Sequence, residues 1–261
     1  MGFLAPLNPP LPPWPRARVW VIGASYGIGA ATADALLATG ARVTLSARSR
    51  DKLETVARDR PGARIEPLDF TRGGDVAAAW DRIRSAWGGC DLVLVVAGTH
   101  REMRAWDLDA AAARELLETN LHGPIATVSA ILPGLLAQGA GAIGIVASVA
   151  GYRGLPKALI YGASKAALIN FTESLYLDLR PRGIGVYLVN PGFVATPLTA
   201  RNEFPMPHLV SAEYAAREML AGLAAGDFEI HFPRAFTRQL KLLRLLPYRL
   251  YFALVRRATG L

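Results

Sequence analysis

The chain has 261 residues and a mass of 28.0 kDa, which is enough to bury a substantial core in one large domain or two small ones. Hydrophobic residues make up 52% of it, charged residues 19%, and the mean hydropathy is +0.24, so a disordered chain is excluded. The single cysteine, Cys90, excludes an intrachain disulfide framework and any zinc site with two cysteine ligands. No apolar run reaches the ~20 residues of a membrane span, and we therefore expect a cytoplasmic globular protein.

The net charge of +8 is concentrated near the C-terminal end. Residues 230–261 contain seven basic and no acidic side chains, which leaves 22 of the 29 basic residues against all 21 acidic ones for the rest of the chain. The body of the protein therefore carries only +1, and this argues against nucleic acid as a partner. An anionic surface or partner close to the tail remains open.

Residues 1–17 form a proline-rich arm ahead of the first predicted strand. Proline has no backbone N–H and a fixed φ, so we expect this arm to be extended, flexible and poorly packed. It has neither the basic start nor the long apolar stretch of a secretory signal. A docking segment for a proline-binding partner is the alternative interpretation. The prolines are Pro6, Pro9, Pro10, Pro12, Pro13 and Pro15.

From residue 18 onwards, short apolar strands alternate with helices. The predicted strands are 18–22, 42–46, 63–67, 91–96, 142–146 and 185–189. The predicted helices are 27–39, 49–58, 73–86, 109–137 and 157–180. This alternation predicts βαβ units in a single doubly wound parallel sheet, a Rossmann-like α/β fold with helices on both faces. We expect one domain over 18–233, a ligand site at the carboxyl ends of the strands, and a helical tail over 234–261.

Three glycines, Gly23, Gly27 and Gly29, lie between the first strand and the first helix. Glycine lets the backbone turn sharply and approach a pyrophosphate closely, and the N-terminus of the helix adds unpaired N–H groups and a positive dipole end. A strand before the turn and a helix after it are the context that a dinucleotide site needs.

The glycine spacing and the motifs downstream of it resemble the short-chain dehydrogenase/reductase family over about residues 17–233. The matching motifs are Gly23/Gly27/Gly29, Val95-Val-Ala-Gly98, Asn120, Ser148, Tyr161-Gly-Ala-Ser-Lys165 and Asn190-Pro-Gly192. The resemblance implies a nicotinamide-dinucleotide-dependent oxidoreductase that forms a homo-oligomer, for which we expect a dimer. It further implies that the cofactor is contacted by Gly23, Ser25, Tyr26, Gly27, Ile28, Gly29, Asp69, Phe70, Ala97, Gly98, Tyr161, Lys165, Pro191, Gly192, Val194 and Thr196.

Two departures from the family pattern concern the segments beneath the cofactor. Ile22 stands where the family usually has Thr, and Val95-Val96 stand where it usually has two Asn residues. These polar side chains normally tie backbone segments together, so their loss puts the anchoring of the sheet and the affinity for the cofactor in question. Ala97 and Gly98 still permit a close approach of the adenosine ribose.

The end of the second strand indicates which dinucleotide is bound. An acidic residue there would accept hydrogen bonds from the ribose of NAD and repel a 2′-phosphate. Here the acidic position of the family is Ala47, followed by Arg48, whose guanidinium can hold a phosphate; Ser25 can add a hydroxyl group. We therefore expect NADP(H) as the cofactor. The alternative is that Arg48 and Arg50 simply begin a solvated helix.

Tyr161 and Lys165 are four residues apart on a predicted helix and therefore share one face of it. A neighbouring ammonium group favours the phenolate and lowers the pKa of the tyrosine, so that its proton can move near neutral pH. Ser148, just past an apolar strand, can hold a substrate carbonyl oxygen beside the phenol. By resemblance, Asn120 kinks a helix and holds a water leading to Lys165. Asn120, Ser148, Tyr161 and Lys165 are thus the candidate catalytic residues for carbonyl–alcohol interconversion by hydride transfer.

The remaining segments bear on substrate and location. An apolar lid near 197–210 favours a lipophilic carbonyl or alcohol substrate. In the tail, 234–261, basic and apolar residues roughly separate on a first helix, and Pro247 begins a second. Its apolar side either packs on the domain or a second subunit, or contacts an anionic membrane peripherally. Alternative functions are a dinucleotide-binding sensor without turnover and a lipid-associated surface protein.

No metal site is expected, because no carboxylate or cysteine spacing suits one. We expect His100 and His122 on the surface or behind the ligand-contacting residues, and Cys90 in a structural position.

Overall fold

The structure, a computed structural model, describes residues 5–58, 60–201 and 204–260, except for the side chain of Arg201. Residues 1–4 of the proline-rich arm, residues 202 and 203 of the expected lid, and the last tail residue lie outside the described residues.

Strands and helices alternate along the described chain. The strands are β1 Arg18–Ile22, β2 Arg42–Ser46, β3 Ala63–Ile65, β4 Leu92–Val95, β5 Ala142–Val146, β6 Gly185–Pro191 and β7 Glu229–Phe232. The α-helices are α1 Gly27–Ala38, α2 Arg50–Ala57, α3 Gly73–Trp87, α4 Ala110–Leu117, α5 Gly123–Gln138, α6 Leu159–Leu179, α7 Ala212–Ala225, α8 Arg234–Arg244 and α9 Tyr248–Thr259. A π-helical turn, Glu118–His122, joins α4 to α5.

The strands form one parallel sheet in the order β3-β2-β1-β4-β5-β6-β7. The order reverses between β1 and β4, so the loops after these two strands diverge and leave a crevice at their carboxyl ends. One apolar core lies between the sheet and α1, α2 and α7, and a second lies between the sheet and α3, α5 and α6. The predicted doubly wound sheet with helices on both faces is confirmed.

The seventh strand was not predicted, and it extends the sheet beside β6. It pairs with β6 from Leu188↔Glu229 to Pro191↔Phe232. Only Ile230 and Phe232 of its four residues are buried. The preceding helix α7 is capped by Ser211, whose Oγ accepts the N–H of Tyr214 at 3.1 Å. A four-residue edge strand has too short an alternating pattern to be recognised in sequence.

The proline-rich arm differs from the expectation of a poorly packed segment. The Asn8 side chain is buried; its Nδ2 donates to Val186 O at 2.9 Å, and its Oδ1 accepts from Val186 N at 2.8 Å. This amide satisfies the backbone of β6 where β7 has not yet begun, and Leu11 and Trp14 pack against the first core. The arm therefore completes an edge of the sheet.

Within the described residues, one helical segment, Ala110–Gln138, is long and apolar enough to cross a membrane by length and composition alone. It comprises α4, the π-helical turn and α5, and it packs against α3 and α6. A buried polar residue, Asn120, lies in its middle. These features are those of a core helix in a globular domain.

Candidate active site

An open groove of about 690 Å³ lies across the carboxyl ends of β1, β2, β4, β5 and β6. It follows the crevice that the change of strand order creates. All the residues that the sequence proposed for cofactor contact line it: Gly23, Ser25, Tyr26, Gly27, Ile28, Gly29, Arg48, Asp69, Phe70, Ala97, Gly98, Tyr161, Lys165, Pro191, Gly192, Val194 and Thr196. Their contact with a cofactor stays a prediction.

The glycine turn is built so that two backbone segments meet. Gly23 has φ +95°, and a Cβ there would lie 2.5 Å from the backbone N of Ala97; a Cβ at Gly29 would collide with the carbonyl of Gly23. Tyr26 precedes α1 without a side-chain cap, so the first N–H groups of the helix face the groove. Such a cradle suits a pyrophosphate in both charge and space.

Backbone hydrogen bonds take over the anchoring role that Ile22 and the Val95-Val96 pair cannot perform with side chains. The N–H groups of Val96 and Ala97 both donate to Ile22 O, at 2.9 and 3.0 Å. Ile22 and Val95 are buried in the sheet. The two departures from the family pattern therefore leave the end of β4 attached to β1.

The groove end at β2 is basic. Ala47 and the exposed Arg48 lie there, and so does Lys52, in the first turn of α2, with its Nζ 5.9 Å from the Tyr26 ring centroid. Sequence reasoning missed Lys52, although its spacing of four from Arg48 was a usable signal. Asp69 is nearby; chiefly because its Oδ1 accepts from the Thr71 hydroxyl at 2.7 Å, the pKa of Asp69 is lowered.

Tyr161 and Lys165 lie at the start of α6 and face Ser148 across the groove floor. Burial raises the pKa of Tyr161, and a hydrogen bond between Tyr161 and the Ser148 side chain acts in the opposite direction. Lys165 Nζ donates to Val146 O at 3.0 Å and lies 5.8 Å from the Tyr161 ring centroid. Burial lowers the pKa of Lys165 to about 8. The sequence predicted a lowered pKa for Tyr161, and this is wrong for the folded protein, because burial of the phenol raises its pKa instead.

Ser148 is oriented by its own loop. It precedes a 3₁₀ turn, and its Oγ accepts the backbone N–H of Ala150 at 3.1 Å. With one lone pair engaged in this way, the hydroxyl proton can be donated to an oxygen beside Tyr161.

Asn120 lies in the π-helical turn and is fully buried. Its Oδ1 accepts from Thr99 N and its Nδ2 donates to Thr99 O, both at 2.8 Å, while Nδ2 also approaches Ser164 Oγ at 3.3 Å. The side chain thus fastens the interrupted helix to the loop after β4 and to α6. The predicted long helix over 109–137 is interrupted where this residue was expected to kink it.

His100 is closer to the reacting groups than the sequence suggested. Its ring meets that of Tyr161 edge to face, with centroids 4.6 Å apart. Burial lowers the pKa of His100, so the ring is neutral at neutral pH. Among the residues that the structure describes, no group of three or more His, Cys, Asp or Glu side chains is placed to hold a metal ion.

An aromatic cluster follows β6 and extends from the loop after it to the tail. The Phe193 ring lies 5.9 Å from that of Phe204 and 5.6 Å from that of Phe236, while His208 lies 5.8 Å from Phe236. Phe236 belongs to α8, so the first helix of the tail helps to wall this side of the molecule. The sequence offered no signal for this contact, because it joins distant segments.

The chain is similar in sequence to a known enzyme family and to described oxidoreductases. The family model described as short chain dehydrogenase matches residues 17–205. A Myxococcus xanthus protein described as an uncharacterized oxidoreductase is 38% identical over an alignment of 244 residues. The alignment covers 91% of this chain and 95% of the relative. A Staphylococcus haemolyticus protein of the same description is 35% identical over 72% of this chain and 83% of its own length.

Solved structures agree with the fold. A short chain dehydrogenase from Burkholderia cenocepacia in complex with NADP has a TM-score of 0.81 and 29% identity, over 92% of this chain and 98% of its own. Actinorhodin polyketide ketoreductase with NADPH has a TM-score of 0.75 and 26% identity, over 84% of this chain and 96% of its own.

Proposed function

The chain belongs to the short-chain dehydrogenase family of oxidoreductases, and we propose that it interconverts a ketone or aldehyde and an alcohol with NADP(H). The observation that carries the proposal is that Ser148, Tyr161 and Lys165 line one groove together with the glycine turn, with Lys165 Nζ 5.8 Å from the Tyr161 ring centroid. A nicotinamide dinucleotide, when bound, supplies or accepts the hydride.

Tyr161 is the proposed acid in reduction and the base in oxidation. Its raised pKa keeps the phenol protonated at neutral pH, ready to donate to a carbonyl oxygen. In reduction Ser148 would turn its proton from the Tyr161 oxygen to the substrate oxygen and so orient the carbonyl toward the phenol. In oxidation the same pair would receive the alcohol; the Tyr161 phenol would first release its own proton along the path past Lys165, and the phenolate would then take the proton of the alcohol.

Lys165 and Asn120 assist the proton transfer of Tyr161 in two different ways. The Lys165 ammonium group stabilises negative charge that develops on the Tyr161 oxygen, and it can reach a ribose in the groove. Asn120 holds Thr99 and Ser164 in place next to Lys165, and a water beside it would extend the path for the proton.

Residues present in the groove support NADP(H) as the cofactor. The glycine cradle at Gly23 and Gly29 would receive the pyrophosphate. Arg48 and Lys52 would receive the 2′-phosphate, with Ala47 in place of a repelling carboxylate. The relatives from Burkholderia and the actinorhodin pathway hold NADP and NADPH.

A lipophilic substrate is the second part of the proposal. The aromatic cluster of Phe193, Phe204, His208 and Phe236 includes two residues of the expected lid and adjoins Gly192 and Val194, which line the groove, so it would offer stacking and apolar contact to a substrate that extends beyond the groove. Each Å² of apolar substrate surface that is buried against the cluster would stabilise the complex by roughly 25 cal/mol. A sugar-like substrate would leave hydroxyl groups unpaired there.

The substrate class is tested by following NADPH consumption at 340 nm (the absorbance of the reduced nicotinamide) with ketones and aldehydes of increasing chain length. We expect kcat/KM to rise with chain length. Tyr161→Phe provides the mechanistic control: it should still bind NADPH, measured by fluorescence, and lose turnover by about a hundredfold or more, because only the transferable proton is removed. Turnover by Tyr161→Phe close to that of the wild type would refute the proposed acid.

Assembly and location complete the proposal. We propose a homodimer in the cytoplasm.

A further inference from the structure

We propose that the outer surface of α8 and α9 docks on an anionic lipid bilayer. This surface is defined by six large apolar side chains, Leu242, Leu245, Tyr248, Leu250, Phe252 and Leu254. Each of them is between 46% and 78% exposed. The inference concerns where the enzyme works and does not depend on which carbonyl compound it reduces.

The tail holds to the domain by its inner side, where Phe236 and Leu240 pack against the second core. Thr237 of α8 and Tyr251 of α9 are buried, with exposures of 0% and 2%. The Tyr251 hydroxyl donates to Gly154 O at 2.7 Å, and Lys241 Nζ lies 2.6 Å from Glu229 Oε2. These inner contacts fix both helices with the six apolar side chains of the outer surface in contact with water.

Arg153 fixes the position of the tail. Its Nη1 donates to three carbonyl oxygens where α8 ends, those of Leu243, Arg244 and Leu246, at 3.1, 3.2 and 2.6 Å. Its guanidinium carbon lies 4.6 Å from the Tyr248 ring centroid and 4.0 Å from that of Tyr251. The outer surface is therefore held in one place, beside the loop between Ser148 and Tyr161.

The exposed side of α9 carries two apolar flanks with basic side chains between them. Tyr248 and Phe252 are one turn apart and stacked, with ring centroids 5.6 Å apart. Leu250 and Leu254 are also one turn apart, on the opposite flank. Exposed Arg249 and Arg257 lie between these flanks on the side away from Tyr251. Aromatic and leucine side chains at the headgroup level with arginines beside them suit anionic lipid.

Charge favours a bilayer over a second copy of this chain. Residues 230–261 carry seven basic and no acidic side chains, so two copies meeting through this surface would bring like charges together. An anionic bilayer gains from the same residues, with each exposed arginine strengthening binding by about fivefold at low salt. On the proposed function, docking would also bring the aromatic cluster around Phe236 toward lipophilic substrate.

The test is cosedimentation of the full-length protein with vesicles at low salt. We expect the wild type to pellet with vesicles of phosphatidylcholine and phosphatidylglycerol, to stay in the supernatant with phosphatidylcholine alone, and to be released by high salt. A wild type that stays in the supernatant with the anionic vesicles, or that binds both vesicles equally, overturns the proposal.

Two pairs of variants with matched controls separate the apolar and the basic contributions. Leu245→Ser with Phe252→Ser, and separately Arg249→Gln with Arg257→Gln, should each weaken vesicle binding at least about tenfold. Leu177→Ser, at an exposed leucine of α6, and Arg114→Gln, at an exposed arginine of α4, should leave binding unchanged. Equal losses in the controls overturn the proposal.

Light scattering and turnover of a water-soluble carbonyl compound complete the design. Both tail pairs should keep the wild-type mass and the wild-type kcat, because neither touches the groove. A fall in mass in the Leu245/Phe252 pair would identify a second copy as the occupant and overturn the bilayer. An inactive wild type that nevertheless binds anionic vesicles would refute the proposed function alone.

Discussion

Arg48 is the residue on which cofactor choice depends. It is exposed at the groove end of β2, where Ala47 removes the acidic group that would favour NAD. A charge-assisted hydrogen bond to a 2′-phosphate is worth roughly 1.5–3 kcal/mol.

We expect Arg48→Ala to weaken NADPH binding by about tenfold to a hundredfold and to leave NADH binding unchanged. Arg50→Ala is the matched control, because Arg50 lies two residues on, outside the groove, and faces Glu54 at 3.6 Å. Fluorescence titration with both cofactors checks this. Equal affinity of the wild type for NADH and NADPH would remove the basis for NADP preference.

Lys165 is functionally useful and costly to stability. Its ammonium group is buried, which lowers its pKa from 10.5 to about 8, a difference on the order of 3 kcal/mol. Below about pH 8 the lysine is protonated in both the folded and unfolded states, so the penalty is present in full. Between about 8 and 10.5 the unfolded chain binds more protons than the folded one, and this group makes stability rise with pH.

Lys165→Met should therefore raise the free energy of unfolding at pH 7 and abolish turnover. Urea denaturation of the ligand-free proteins from pH 7 to pH 9.5 measures the effect. The advantage of Lys165→Met over the wild type should shrink as pH rises. A constant difference across this range would mean that Lys165 is not the group that titrates.

At the scale of elements, polar side chains decide where regular structure stops. Asn120 was predicted to kink a helix, and the π-helical turn lies around it because its amide pairs with both backbone groups of Thr99. In the sheet, the Asn8 amide bonds to the N–H and C=O of Val186 where, within the described residues, no further strand pairs with β6.

We expect Asn8→Ala to lower the free energy of unfolding by about 1–3 kcal/mol, because the N–H and C=O of Val186 would lose their buried partners. Pro10→Ala, at an exposed position in the same arm, is the control. Thermal or urea unfolding measures both variants. Equal, small effects would mean that the arm contributes nothing to the edge of the sheet.

At the scale of the whole molecule, one sheet with two apolar cores carries a groove on one edge and a basic tail beside it. Residues 230–261 carry a net charge of +7, whereas the rest of the chain carries only +1. Self-association through the tail is disfavoured by this charge, so the expected dimer must use another surface.

Light scattering coupled to size-exclusion chromatography should give at least twice the chain mass of 28.0 kDa. The mass should not change between low and high salt, because the contacts expected within a dimer are away from the charged tail. A mass of 28.0 kDa across a range of concentrations would contradict the homo-oligomer.

The sequence by itself determined the order of the first six strands, the position of the groove and many of the residues that line it. These features are local or periodic: glycines at a fixed spacing after a strand, and Tyr161 and Lys165 one turn apart. A parallel sheet then brings separate strand ends to one edge, so residues far apart in sequence meet without any further information. The tyrosine–lysine spacing indicated proximity, whereas the raised pKa of Tyr161 depends on burial in the folded protein.

Tertiary structure alone decided what depends on contacts between distant segments. Asn8 bonds to a residue 178 positions away, Arg153 holds carbonyl oxygens 90 to 93 positions away, and Phe236 meets Phe193 across the end of the sheet. No periodicity marks such pairs, because each depends on how completed elements pack. The same holds for the tail. Its sequence predicts amphipathic helices. The folded protein decides which apolar side chains stay exposed, because the side that carries Thr237 and Tyr251 is the one that packs on the domain.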